Sequence, residues 1–409
     1  MDSEAGRLNM DDFAGWSKLL REDGEGVPSF VIDAAALNAN ISRMRDIAAG
    51  DRLRLVVKSL PCAGLVDYLM AAMHTRKLMV FHLPFIVEAA RRWPDADLML
   101  GKPLPAAAVD AFYRRVDSLG RFDARRCLHW LVDTPERVNQ YAAVARRHDV
   151  VMSVVIEVDV GMHRGGVGSA TEVSDLLDAI DHCSGRLQVA GFMGYDAHAG
   201  RGVPWVSRPR AVNHSNAIYN RLLEAAYCSH PHLLPEAVLV NGSGSPTCVF
   251  HASDSPLNEL AIGSLLLKPA EFDLPQLADF EPAGWIATPV IKRQAGIHLP
   301  FLEWLGRWSR RDTVFVYGGR WPARPQWPEG MRSSSLYGPS FNQQFFSVPR
   351  QAPVAVDDYV FFRPLQSEQV MLSLGEVLVI EKGRVGQRWP VLDVRHGMED
   401  PSAPDRVAS

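Results

Sequence analysis

Four places in the chain bring together residue types that could do chemistry. Lys58 closes the apolar run Leu55-Val56-Val57, ahead of Ser59-Leu60-Pro61. Burial at a strand end strips an amine of water, lowers its pKa and makes it a nucleophile. A lysine that only snorkels to the strand's mouth gives the same pattern. Further on, Glu157-Val158-Asp159-Val160-Gly161-Met162-His163-Arg164-Gly165-Gly166 alternates two acids and then turns on glycines to present Arg164. An arginine in such a turn can bind a phenolate or carboxylate. Equally, Glu157 and Asp159 can serve as caps or as partners of Arg164. In Gly194-Tyr195-Asp196-Ala197-His198-Ala199-Gly200, His198 titrates near neutrality and suits a base, a ring support or a metal ligand. A histidine between small residues also suits a structural role. Last, Asn241-Gly242-Ser243-Gly244-Ser245-Pro246-Thr247 offers backbone amides and hydroxyls of the kind that form an anion nest.

These residues need a scaffold, and the chain supplies a rhythm. Short apolar runs fall at Ser29–Asp33, Leu53–Lys58, Lys77–His82, Asp97–Gly101, Leu128–Asp133, Met152–Asp159, Gln188–Ala197, Ala237–Ser243 and Glu259–Leu267. Helical spacing fills the gaps. In Ala34–Ala49, Leu37, Ile41, Met44 and Ile47 share one face. Cys62–Met73, Pro84–Arg92, Ala106–Ser118, Pro135–Arg147, Ala170–Asp181 and Arg208–Cys228 read likewise. Alternation of this kind predicts parallel strands with helical crossovers. Nine runs over this length suit a (β/α)8 TIM barrel, with one spare strand able to pair outside it. A doubly wound sheet is the rival, but no G-x-G-x-x-G follows the first strand. Barrel sites lie at the C-terminal ends of strands, and all four groups fall there in order. A strand-end lysine, an arginine turn, a histidine loop and a late phosphate nest together fit pyridoxal 5′-phosphate (PLP) held as a Schiff base.

After about residue 275 helical periodicity fades. Thr288–Ala295, Thr313–Tyr317, Tyr359–Phe362, Glu376–Glu381 and Arg388–Leu392 read as strands of a mostly-β C-terminal domain, a barrel or sandwich. The proline-rich stretch Arg320–Gln344, with Trp321, Trp327, Arg332 and Tyr337, reads as a long loop that either shapes substrate choice or packs on its own aromatics. Phe341-Asn342-Gln343-Gln344 could instead border a dimer contact. Glu399–Ser409 reads as a disordered tail.

Composition narrows the classes further. Of 409 residues, 47% are hydrophobic and 22% charged, which excludes a disordered or collagenous chain. A net charge of −4 supplies no basic field for nucleic acid. Five scattered cysteines without a CxxC pair argue against a disulfide framework or zinc ribbon and for a reducing, cytoplasmic setting. The acidic N-terminal stretch does not read as a signal peptide, and no apolar run reaches the ~18 residues a membrane span needs.

The sequence resembles the alanine-racemase-fold (fold type III) PLP enzymes, in particular the branch of D-threonine aldolases and D-serine dehydratases. The likeness runs over roughly residues 28–395. It rests on Pro28-Ser29-Phe30-Val31-Ile32-Asp33 as the first strand, and on Lys58 as the Schiff-base lysine. It rests also on Asp159–Gly166 as the D-x-G-M-x-R-x-G segment, whose arginine lies near the cofactor phenolate. Tyr195 and His198 match the tyrosine/histidine strand end, Gly242–Thr247 the phosphate loop, and Glu259-Leu260-Ala261-Ile262-Gly263-Ser264 the E-L-x-x-G-(S/T) strand.

The resemblance implies an N-terminal extension (1–27), a PLP-binding barrel (28–275), a β domain (276–398) and the tail (399–409). It implies cofactor contacts from Lys58, Arg164, Tyr195, His198, Gly242, Ser243, Gly244 and Ser245. It also implies a homodimer whose partner's β domain completes the site, acting on a small D-amino acid. Racemases carry an arginine facing the ring nitrogen where this chain has Ala261, which points away from racemisation. The family's metal-binding histidine and its second ligand match Gln366 and Glu368. Those oxygen donors favour Mg²⁺ or Mn²⁺ over Zn²⁺; the alternative is a metal-free site in which Glu368 handles protons. The expected reaction is retro-aldol cleavage of a β-hydroxy D-amino acid, with Lys58, His198 and Glu368 as catalytic residues. The alternatives are a D-serine-dehydratase-like ammonia-lyase and a PLP-binding protein without turnover.

Overall fold

The computed structural model describes residues 10–202, 204–253, 255–296, 309–333 and 338–393. Its strands are β1 (Ser29–Asp33), β2 (Leu53–Val56), β3 (Lys77–Val80), β4 (Asp97–Leu100), β5 (Leu128–Val132), β6 (Met152–Glu157), β7 (Leu187–Gly194), β8 (Leu239–Gly242) and β9 (Glu259–Ile262). They continue as β10 (Gly284–Gln294), β11 (Arg311–Tyr317), β12 (Ala323–Trp327), β13 (Arg332–Ser333), β14 (Gln343–Pro349), β15 (Tyr359–Pro364), β16 (Glu376–Glu381) and β17 (Arg384–Pro390).

Strands β2 to β9 pair in sequence order and close where β2 meets β9, making an eight-stranded parallel barrel. Leu55, Leu78, Leu98, Trp130, Val154 and Leu260 are all fully buried, as parallel strands covered on both faces require. The crossovers are the expected helices, with Pro135–Arg147 and Ala170–Asp181 at the sequence-derived bounds. Both start where the residue chemistry says they should. Thr134 accepts from the Arg137 amide, and Ser169 forms a capping box with Glu172.

The spare strand does pair elsewhere. β1 lies antiparallel to β10 and parallel to β16, inside a nine-stranded sheet with order β13-β14-β11-β10-β1-β16-β17 and a branch of β15 and β12. The described residues accordingly fall into two units. One takes those within Met1–Arg43, Ser59–Leu65 and Ser264–Val391; the other, the barrel, takes those within Met44–Lys58, Val66–Gly263 and Leu392–Ser409. The chain thus enters the β unit before it builds the barrel.

Two stretches differ from expectation. Helix Met10–Asp23 fills part of the supposed extension; Phe13, Trp16 and Leu20 form a buried i, i+3, i+7 stripe, and the Phe13 ring lies 5.0 Å from those of Trp285 and Phe361. The supposed loop 320–344 carries β12, β13 and the start of β14 instead. Pro325 hid β12, yet among the described residues β12 pairs only with β15, and such an edge strand tolerates proline. Tyr337 and the tail Glu399–Ser409 lie outside the described residues. Among the described residues no helix is long and apolar enough to cross a membrane.

Candidate active site

Lys58 follows β2 in the short turn Val57–Ser59, at the C-terminal end of the barrel. Its Nζ sits over the Phe81 ring, 4.6 Å from the centroid. Phe81 is itself held close: a Cβ on Gly101 would fall 2.2 Å from the ring, so only glycine allows the approach. Beside them, burial lowers the His82 pKa, and the cations Lys102 and Lys58 lower it further. His82 and Lys102 were not singled out from sequence.

The Arg164 turn is built by Asp159. Its Oδ1 accepts from the amides of Gly161 and His163, each at 2.9 Å, and its Oδ2 lies 2.8 Å from His163 Nδ1. Burial opposes its ionisation, but these partners outweigh burial and hold the carboxyl below its ordinary range. Asp159 is therefore the organiser of the turn. Glu157 behaves in the opposite way. Burial, reinforced by the carboxylate of Asp133, pushes it up to about 7 against the pull of Arg164. The two acids that alternate on β6 thus end in different states. Arg164 reaches over the Tyr195 ring, with its guanidinium carbon 4.8 Å from the centroid.

Tyr195 and His198 follow β7. A Cβ on Gly244 would fall 2.6 Å from the Tyr195 ring, so the ring and the glycine-serine loop are in direct contact. His198 Nε2 lies against Gly161, 3.3 Å from where a Cβ would stand. Burial lowers the His198 pKa although Asp196 and Asp159 pull it up. Its Nδ1 is buried and has no hydrogen-bond partner among the described residues. An orphaned buried nitrogen of this kind is what a site for a polar ligand leaves behind.

The loop Gly242–Thr247 is buried throughout. Ser243 holds a φ of 67°, left-handed and uncommon for a residue with a side chain. Side chains on both Gly242 and Gly244 would collide with neighbours, at 2.8 Å from Leu257 and 2.6 Å from Tyr195. A tight, side-chain-free turn beside hydroxyls is a nest for an anion such as a phosphate. Lys58, Arg164, Tyr195, His198 and Gly242–Ser245 all belong to the barrel unit and stand at the ends of strands β2, β6, β7 and β8. An amine for a carbonyl, a guanidinium for a phenolate, an aromatic wall and an anion nest are the donor set that PLP needs, so these residues fit it.

Gln366 and Glu368 belong to the other unit. Gln366 is exposed and donates through Nε2 to Glu271 at 2.8 Å, and Glu368 opens the short helix Glu368–Leu374. Among the described residues no group of three or more His, Cys, Asp or Glu side chains could hold a metal. These oxygen donors do not fit Zn²⁺.

A closed (β/α)8 barrel with a lysine-bearing strand end, followed by a mostly-β unit, is the architecture of the fold-type III PLP enzymes. Residues 32–270, more than half the chain, match the family model "alanine racemase, N-terminal domain", and the chain belongs to that PLP-dependent family. Its fold resembles the D-threonine aldolase of Filomicrobium marinum (TM-score 0.71, 18% identity, 91% of this chain and 98% of that one). It also resembles the D-threo-3-hydroxyaspartate dehydratase of Delftia sp. HT23 (0.67, 19%, 89% and 97%) and the alanine racemase of Bacillus anthracis (0.67, 14%, 89% and 97%). At these identities the likeness is one of fold. No curated protein matches the sequence.

Proposed function

We propose that the chain is a PLP-dependent lyase that cleaves the Cα–Cβ bond of a β-hydroxy D-amino acid, giving an amino acid and an aldehyde. The observation that carries this is the strand-end arrangement: Lys58 over Phe81, and Tyr195 in contact with both Arg164 and the glycine-serine loop. When bound, PLP supplies the electron sink for the bond that breaks. Lys58 would hold it covalently through its Nζ. Gly242, Ser243, Gly244 and Ser245 bind its phosphate, and Arg164 holds its phenolate side. His198, kept neutral by burial, takes the proton from the substrate hydroxyl at its free Nδ1. Glu368 of a second copy is the other candidate for that proton, within a homodimer. The absence of arginine at Ala261 favours a lyase over a racemase. Five free cysteines support a reducing cytoplasm as the place of action.

The test is to load the purified protein with PLP and supply D-threonine and D-serine, with and without Mn²⁺ or EDTA. Amino acid plus aldehyde is expected, at a rate that EDTA leaves unchanged. Keto acid plus ammonia would replace the aldolase reading with the dehydratase one. Cofactor binding without turnover would make the chain a PLP-binding protein only. Loss of activity in EDTA and recovery in Mn²⁺ would assign Gln366 and Glu368 to a metal.

A further inference from the structure

Behind the glycine-serine loop runs a buried relay that the reaction itself does not require. Asp196 lies between Tyr195 and His198, and its carboxylate faces inward. The Thr247 hydroxyl donates to Asp196 Oδ1 at 2.6 Å, and His251 Nε2 lies 2.7 Å from Oδ2. His251 Nδ1 is 2.8 Å from the Ser255 hydroxyl, which also accepts from the Leu257 amide at 3.2 Å. The Asp196 carboxylate only accepts, so in the neutral imidazole Nε2–H donates to it, which leaves Nδ1 to accept from the Ser255 hydroxyl. Thr247 spends its one proton on Asp196, which leaves its oxygen as an acceptor 3.3 Å from Ser243 Oγ, a hydroxyl shared with the Gly244 carbonyl at 3.2 Å. Asp196, Thr247 and His251 are all at least nine-tenths buried.

We propose that Asp196 and His251 are positioning residues that lock the anion nest and thereby set how tightly the phosphate of the cofactor is held. This rests on the cofactor reading above and deepens it. A buried acid and imidazole add little stability over apolar residues of the same size, because desolvation offsets their attraction. What they add is geometry. One carboxylate joins the end of β7, which carries Tyr195 and His198, to the loop after β8. The same loop is clamped from the other side, since a Cβ on Gly200 would fall 2.5 Å from Pro246. Between these two holds, Ser243 stays in its left-handed conformation and the nest keeps its shape. Preorganised donors bind an anion without a reordering cost, and loosened ones do not.

The experiment compares PLP with pyridoxal, which carries the same ring and aldehyde but no phosphate. Both are titrated into wild type, Asp196→Ala, Asp196→Asn and Thr247→Val, and the ratio of the two dissociation constants is read. In Asp196→Ala the preference for PLP should fall about tenfold or more, with pyridoxal affinity within about twofold of wild type. Thr247→Val, nearly isosteric, should lose part of the preference. Asp196→Asn should keep most of it, because the amide oxygen still accepts from Thr247 and the other histidine tautomer can accept from the amide. An unchanged ratio in both Asp196→Ala and Thr247→Val would overturn the proposal. So would an equal weakening of both ligands, which would mark a merely structural role. A wild type that holds pyridoxal as tightly as PLP would instead sink the phosphate nest itself.

Discussion

The two ends of the barrel handle charge in opposite ways. At the N-terminal end, fully buried Arg54 forks onto Glu259, with Nε 2.5 Å from Oε1 and Nη2 3.0 Å from Oε2, and reaches Asp97 at 2.9 Å. Lys77 adds a second cation to Glu259 at 3.0 Å, Asn241 donates to it at 2.8 Å, and His129 lies 3.3 Å from Asp97. Burial opposes ionisation of both acids, but Arg54 outweighs it, helped by Lys77 at Glu259 and His129 at Asp97, and both titrate below their ordinary range. At the C-terminal end Asp159 and the Asp196–His251 pair are satisfied, but other groups are left out of balance. Glu157 is pushed up, His198 is pushed down with an unpartnered nitrogen, and Ser243 is held left-handed. One fold thus separates a paired end that stabilises from a perturbed end that is free to react.

Substitutions at the two ends should part company. The largest effect is expected from Lys58→Ala at the reactive end. Cofactor-linked visible absorbance that borohydride removes should vanish, and lyase turnover should fall by more than about a thousandfold. The urea midpoint without cofactor should stay near that of wild type, since among the described residues Lys58 has its Nζ over the Phe81 ring and makes no ion pair. Retention of the band would transfer the covalent role to another amine. At the paired end Glu259→Ala should do the reverse. It leaves Arg54 buried with one of its two carboxylate partners gone, which costs about 3–5 kcal/mol of stability. The urea midpoint reports that loss, while PLP uptake per folded molecule should persist. A midpoint within about 0.5 kcal/mol of wild type would break the contrast between the ends.

The reactive end was the more legible of the two. Lys58, Arg164, Tyr195, His198 and the 242–247 loop each stand at the end of a local apolar run or in a local glycine motif, so a single stretch of sequence exposes them. The barrel strands were legible for the same reason; each begins within about two residues of its expected start. The paired end was not: Glu259 opens the E-L-x-x-G-(S/T) strand, but nothing local points to Arg54, which meets it across a separation of 205 residues. The relay behind the phosphate loop was hidden likewise, with His251 and Asp196 55 residues apart. β12 was missed because proline masks an edge strand, and the first helix because its three-residue apolar stripe is short and lies among acids.

The smallest effect sharpens the comparison most, because Glu157 should show the opposite pH sign to the acids of the paired end. Glu259 and Asp97 titrate below their ordinary range, so their contribution is present above the unfolded pKa and is lost as pH falls through the folded one. Glu157 titrates at about 7 instead of its ordinary 4.5. Between those values the folded chain holds a proton that the unfolded chain has released, so stability falls as pH rises through that window. Glu157→Gln removes this dependence and leaves the acids at the other end untouched. Urea unfolding at pH 5 and pH 8 should therefore show the variant gaining on wild type at the higher pH, on the order of 1 kcal/mol after solvent screening. Below about pH 4 the two should lose stability together, because Glu259 and Asp97 are common to both. Parallel curves from pH 5 to pH 8 would mean that Glu157 is ionised at neutrality and that the upper end of β6 is as well balanced as the lower end of β9.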